Sequence, residues 1–277
     1  MYIMYFLFVC LILFLQSIRA YNLDEATIAV FLSGAAYCGK ENYSNMTLRP
    51  PANELEVKRI IYDVKSDLQG YVGVISSRKN IYVVFRGSSS GLNWVKDLEI
   101  KKIPYDTFSD CNCNIHKGFY ESTLAVKDEV IKEVKLLLST RQYNSVIVSG
   151  HSYGAGCSQI MAMELFKENI GGVQVYNFGQ PRIGDTTYAN YVNKKMSNYW
   201  RFTHNKDIVP HVPTIKCIDY YHSCGEIFEN ESGQLHTCSM TECEDKTCAD
   251  QYDLKETNGD DHKVYLQHPL TCESSTI

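Results

Sequence analysis

The sequence predicts an α/β fold, a mostly parallel central sheet with helices on both faces. Three observations predict it. Short runs are apolar at every position, as in strands covered on both sides. Stretches of helical period lie between them. The two kinds of segment alternate through the middle of the chain. The 277 residues suit one large domain, and a domain of that size buries about three quarters of its unfolded surface.

Taken in order, Tyr2 to Leu15 is almost wholly apolar and is followed by Gln16, Ser17, Ile18, Arg19 and Ala20. This reads as a signal peptide over residues 1–20, although no Lys or Arg precedes the apolar run. An uncleaved anchor is the alternative, since the run approaches the length of a short span. The remaining 21–277 are expected to form a single secreted domain, with no further run long enough to cross a bilayer. Leu23 to Tyr37 has helical spacing and ends at Cys38-Gly39. A polar loop with Pro50-Pro51 follows, then Gly70 to Ser76 and Asn80 to Arg86 as a hairpin. Phe119 to Leu138 reads as a helix with one wet side. Val146 to Ser149 and Val173 to Phe178 read as buried strands, and Trp200 to Phe202 as a short one. Ala155 to Lys167 and Tyr188 to Met196 read as helices. From Cys217 onward the chain is expected to be loop-like.

The formal charge of −5 and the lack of a basic cluster argue against nucleic acid as a partner. Eleven cysteines, of which Cys10 leaves with the signal, predict disulfides in an exported chain. Zinc at Cys238, Cys243, Cys248 and His236 is the rival reading; the spacing lacks a paired CxxC arrangement, so no metal is expected. Cys217 and Cys224 are close enough in sequence to suggest a bridge. Asn42, Asn45 and Asn230 stand in Asn-x-Ser/Thr sites open to glycosylation.

Gly150-His151-Ser152-Tyr153-Gly154 is a Gly-x-Ser-x-Gly sequence between a buried strand and a helical pattern. That is the setting of the nucleophile elbow of the α/β-hydrolase fold. The tight turn holds the serine hydroxyl out of the sheet, and the helix N-terminus offers N–H groups to an oxyanion. A serine needs a base, and the base an orienting acid. In this fold both follow the serine in the chain. The candidate bases are His204, His211, His222, His236, His262 and His268; the candidate acids include Asp185, Asp207 and Asp219. Composition does not choose among them.

Further motifs stand in order along the chain: Val84 to Ser90 with Phe85-Arg86-Gly87-Ser88, His116-Lys117-Gly118-Phe119, the Ser152 elbow, Asn177 to Gly184, and Asn205 to Pro213. Together they resemble the class 3 lipases, the fungal triacylglycerol lipases of the Rhizomucor type and their animal relatives, over about residues 60 to 213. The resemblance implies a serine esterase that acts on lipid esters at a lipid–water interface, with only peripheral membrane contact, as a monomer and without a cofactor. It makes Asp207 the triad acid and His262, within Asp261-His262-Lys263-Val264-Tyr265, the base, with His268 the runner-up. It places oxyanion donors at Ser88 and the Tyr153 N–H. Residues 89–98 coincide with the family's lid, where Leu92, Trp94, Val95 and Leu98 form one apolar face. Cys38 and Cys272 resemble the family's pairing of the N-terminal helix with the chain end, and Cys157 is expected as a buried free thiol. The alternatives are a phospholipase, a feruloyl-type esterase, and a catalytically inactive lipid-binding relative. Tyr153 stands where Leu is common in the fungal enzymes, which leaves the acyl pocket's shape open.

Overall fold

The computed structural model describes residues 20–89, 100–214 and 219–272. The signal segment up to Arg19, the lid residues Leu92, Trp94, Val95 and Leu98, and Cys217 lie outside them.

Asn22 caps helix α1 (Leu23–Ala35): its side chain accepts the Glu25 N–H, and Asp24 and Glu25 meet the positive end of the helix dipole. Strands β1 (Glu56–Asp63), β2 (Leu68–Ile75) and β3 (Asn80–Phe85) then form an antiparallel meander. A small ribbon, β4 (Lys102–Pro104) with β5 (Asn114–His116), precedes α2 (Lys117–Ser139). Then β6 (Ser145–His151), α3 (Tyr153–Lys167), β7 (Val173–Phe178), α4 (Thr186–Lys195) and β8 (Tyr199–His204) alternate. The chain ends in β9 (Glu226–Glu229), β10 (Leu235–Thr237) and a ribbon of β11 (Val264–Tyr265) with β12 (His268–Pro269). The main sheet runs β1-β2-β3-β6-β7-β8-β9-β10. Pairing is parallel from β3 to β9 and antiparallel at both ends.

Period-two alternation divides the core in two. Ile81, Val83 and Phe85 of β3 and Val146 and Val148 of β6 face α2, α3 and α4. Tyr82, Val84 and Ile147 face α1 instead. Both faces are therefore covered, which is why these strands read as unbroken apolar runs.

Two departures from the sequence reading share a cause. Strand β1 went unseen because the exposed Glu56, Lys58 and Arg59 break its pattern: it is an edge strand, half-buried over the rest of its length apart from Ile61. The segment expected as loop contains β9, buried although it begins and ends with glutamate. Glu226 survives burial because Arg201, Thr203 and the Ala249 N–H all donate to it. Arg182 grips the same region through a two-pronged contact with Glu244, at 2.9 and 2.7 Å, and reaches Asp250 at 3.2 Å.

Cys38 bridges Cys272, and Cys157 is a buried free thiol. The Cys217–Cys224 pairing is corrected: Cys224 bridges Cys243, Cys238 bridges Cys248, and Cys111 bridges Cys113. Adjacency in sequence misled because Arg201 and Arg182 pull the Cys243 strap back against the sheet end: Arg201 donates to the Cys243 carbonyl, and Arg182 donates to the Glu244 carboxylate. The Cys38–Cys272 bridge closes a loop of 234 residues. Replacing both by serine is expected to lower unfolding free energy by about 3 to 5 kcal/mol in a urea titration; a change below about 1 kcal/mol contradicts the entropic basis.

Candidate active site

The turn from β6 into α3 forces Ser152 to φ 58° and ψ −126°, a region rarely adopted by non-glycine residues. Two glycines permit it. A Cβ on Gly150 would lie 2.5 Å from the Gly154 carbonyl, and one on Gly154 would lie 2.4 Å from the Phe85 carbonyl oxygen. Ser152 donates its N–H to the Phe178 carbonyl at 3.0 Å, and its own carbonyl accepts from Ala155 and Gly156. The strain is thus held by the ends of β6 and β7.

Asp207 follows β8 and is 1% exposed. One carboxylate oxygen accepts the Val209 N–H at 2.8 Å; the other accepts His262 Nδ1 at 2.8 Å and the Tyr265 hydroxyl. Burial, and then the Asp207 charge, hold the Tyr265 hydroxyl protonated. The acid and base loops are fastened together. Asn258 N–H donates to the Lys206 carbonyl and Ile208 N–H to the Asn258 carbonyl. Asp261 accepts from Asn205, the Lys206 N–H and Asn258. A carboxylate accepts only, so Nδ1 of His262 carries a hydrogen, and in the neutral ring Nε2 keeps its lone pair. That Nε2 is buried and has no hydrogen-bond partner among the described residues. Gly179, directly after the Phe178 that holds Ser152, packs on this ring: a Cβ there would lie 2.8 Å from His262 Cε1.

The remaining candidates are elsewhere. His268 stacks on Phe31 at 3.8 Å. His211 Nδ1 meets the Asp207 backbone carbonyl, not its carboxylate, and His222 meets the Pro210 carbonyl. His204 meets the Asp261 carbonyl, and His236 lies in β10. Asp185 caps α4, and Asp219 accepts the Thr186 hydroxyl.

Ser88 follows Gly87, where a Cβ would lie 3.0 Å from Ser152 Cβ. The segment is clamped: Arg86 donates to the Gly87 carbonyl and to Asp67, and the Ser89 hydroxyl donates to Asp67. Tyr153 opens α3, and its hydroxyl pairs with Ser122 at 2.6 Å and donates to the Gly118 carbonyl. Of the glycosylation candidates, Asn42 is exposed, whereas the Asn230 side chain is engaged in the β9–β10 turn; the Asn45 side chain lies outside what is described.

A sequence profile described as Lipase (class 3) matches residues 82–217. A lipase of Rhizomucor miehei is 32% identical over 215 residues, 72% of this chain and 56% of that relative. A solved structure of a triacylglycerol lipase, described as having a serine protease triad as its catalytic centre, superposes with a TM-score of 0.83 at 28% identity, covering 91% of this chain and 98% of that one. The chain belongs to the class 3 lipase family, and its fold is the α/β-hydrolase fold. Another relative, a secreted mono- and diacylglycerol lipase of Penicillium cyclopium, is 31% identical over 57% of this chain and 50% of its own length. The chain thus spans about half the length of these curated relatives.

Class 3 lipase motifs named Ser152, Asp207 and His262 but gave no role to Tyr265, Tyr37 or His151. His151, inside the elbow motif, is fully buried; burial first, and then the neighbouring His262, hold its pKa well below 6.5. Burial first, and then Arg201 and Arg182, do the same to His222. An unfolded chain therefore binds protons at these positions below about pH 6.5 that the folded chain refuses. Their stabilising contribution is complete above that pH and is lost as pH falls, by about 1.4 kcal/mol per histidine per pH unit. Calorimetry should show the melting temperature falling between about pH 6.5 and 5, and less steeply in His222→Gln. Equal slopes in the two proteins would contradict this origin.

Proposed function

We propose that this chain is a secreted serine carboxylic-ester hydrolase acting on lipid esters, most of all triacylglycerols, through Ser152, His262 and Asp207. The observation that carries the reading is the His262 ring, fixed on Asp207 through Nδ1, with a buried Nε2 beside the elbow that has no partner among the described residues. His262 Nε2 takes the Ser152 hydroxyl proton as Oγ attacks the ester carbonyl carbon. The carbonyl π electrons move to oxygen, where N–H groups of Ser88 and Tyr153 receive the charge. Such donors contribute about 3 to 4 kcal/mol each in comparable enzymes. The tetrahedral species collapses: the ester C–O bond breaks, and His262 gives its proton to the departing alcohol. Water then attacks the acyl-enzyme by the same route, releasing a carboxylic acid and restoring Ser152. Asp207 holds the productive tautomer and stabilises the imidazolium without taking its proton.

The names borne by relatives support acylglycerols as substrates, and the disulfides suit an exported protein; a single domain acting as a monomer is part of the same proposal. We extend the proposal to Leu92, Trp94, Val95 and Leu98 as residues of the family's lid, which in such enzymes gates the site at a lipid surface. Hydrolysis rates on tributyrin, long-chain triacylglycerol, phosphatidylcholine and methyl ferulate, above and below the solubility limit, test the substrate. The fastest rates are expected on emulsified acylglycerols. Preference for phosphatidylcholine or methyl ferulate would replace that substrate class, and turnover of none would remove the enzyme reading.

A further inference from the structure

Two groups beside the site have no part in these steps. Tyr37, just past α1, places its hydroxyl 2.6 Å from His151 Nδ1. His151 Nε2 lies 2.9 Å from the His262 carbonyl oxygen. A carbonyl only accepts, so Nε2 carries the ring hydrogen and Nδ1 accepts from the Tyr37 hydroxyl. The backbone of Gly87 contributes a hydrogen bond to that same hydroxyl. No side chain fits between them, since a Cβ on Gly87 would lie 2.0 Å from the Tyr37 oxygen. The His151 and His262 rings face each other at 4.3 Å and 32°. One hydrogen-bonded chain therefore runs from the segment bearing Ser88, through Tyr37 and His151, to the backbone of the base.

We propose that Tyr37 and His151 are positioning residues, whose chain of hydrogen bonds holds the Ser88 segment and the His262 backbone in fixed relation to Ser152. This rests on the acyl-transfer reading above. His151 precedes the nucleophile directly and touches the base, so one rigid side chain references both. Neither residue exchanges a proton with substrate. His151 must also stay neutral, because a cation at this distance would oppose the imidazolium that forms on His262 in each turnover. The ionisable groups around it are Tyr37, His262 and Tyr265, with Arg86 acting on Tyr37.

The test is steady-state hydrolysis of p-nitrophenyl butyrate by the full chain and by His151→Ala, His151→Gln and Tyr37→Phe. A misplacement near 1 Å lowers kcat by about a hundredfold in comparable sites, so His151→Ala and Tyr37→Phe are expected to lose about 10- to 100-fold in kcat. KM should stay within about twofold, because ground-state binding is untouched. His151→Gln presents an amide N–H where Nε2 stood and is expected to recover kcat to within about threefold of wild type. Its acid limb in the pH–rate profile should coincide with that of wild type, because the histidine it replaces carries no charge there. Where His151→Ala does not fold, Tyr37→Phe, which keeps every ring carbon, carries the test. Unchanged kcat in Tyr37→Phe, a glutamine variant as impaired as alanine, or a displaced acid limb would each overturn the inference. An active wild type with unaffected variants removes this inference alone; an inactive wild type removes the acyl-transfer reading and this inference with it.

Discussion

Ser152→Ala is expected to lower kcat on p-nitrophenyl butyrate by about 10⁵- to 10⁶-fold, the size of loss seen when a serine hydrolase keeps only its binding and oxyanion groups. KM should hardly move, because the hydroxyl bonds only in the transition state. The fold should survive, since one oxygen leaves a residue that is already 2% exposed and whose backbone bonds are unaffected. A second variant separates chemistry from strain. Ser152→Gly removes the Cβ that makes φ 58° unfavourable and is expected to raise unfolding free energy by about 1 to 2 kcal/mol while abolishing activity. Activity retained in both variants would show that another residue is the nucleophile.

Asp207→Asn carries the second largest expected loss, about 10⁴-fold in kcat. An asparagine amide turned toward Nδ1 stabilises the wrong tautomer, with hydrogen on Nε2 and no lone pair for the serine proton. The shape is nearly unchanged: the Val209 N–H still has an oxygen to meet, and the Tyr265 hydroxyl, which shares its carboxylate oxygen with His262, can turn to accept from the new amide. The loss should therefore fall on kcat and leave the melting temperature within a few degrees, about 2 to 4 °C for each kcal/mol lost at this size. His268→Ala, which removes a ring stacked on Phe31, should leave kcat within about twofold. A loss for His268→Ala comparable with that of Asp207→Asn would reverse the assignment of base.

Much of this was legible because the central strands are covered on both faces. Val146 to Ser149, and Val175 to Phe178 beyond the half-buried start of its strand, lie wholly in the core, so they stand out from any window of sequence. The elbow was legible because only glycine fits at positions 150 and 154. The triad partners were not legible from composition. Asp207 and His262 are 55 residues apart, and six histidines follow the serine, so motif order had to name what packing alone decides. Strand β9 stayed hidden because Glu226 and Glu229 look solvated until Arg201 and the Leu266 N–H are seen to satisfy them. The Cys224 partner stayed hidden because it depends on a strap pinned by Arg182 and Arg201, buried cations whose partners lie tens of residues away. Tyr37 and His151 were missed for the same reason: each looks like an ordinary core residue until its second hydrogen bond is traced.

The most direct measurement is active-site labelling with a fluorophosphonate, read by peptide mass spectrometry. One label per chain is expected, on the peptide containing Ser152, at a rate that falls by several orders of magnitude in His262→Ala and is unchanged in His268→Ala. Labelling of a different serine, or at an undiminished rate without His262, would contradict the assembly of hydroxyl, imidazole and carboxylate on which the proposed chemistry stands.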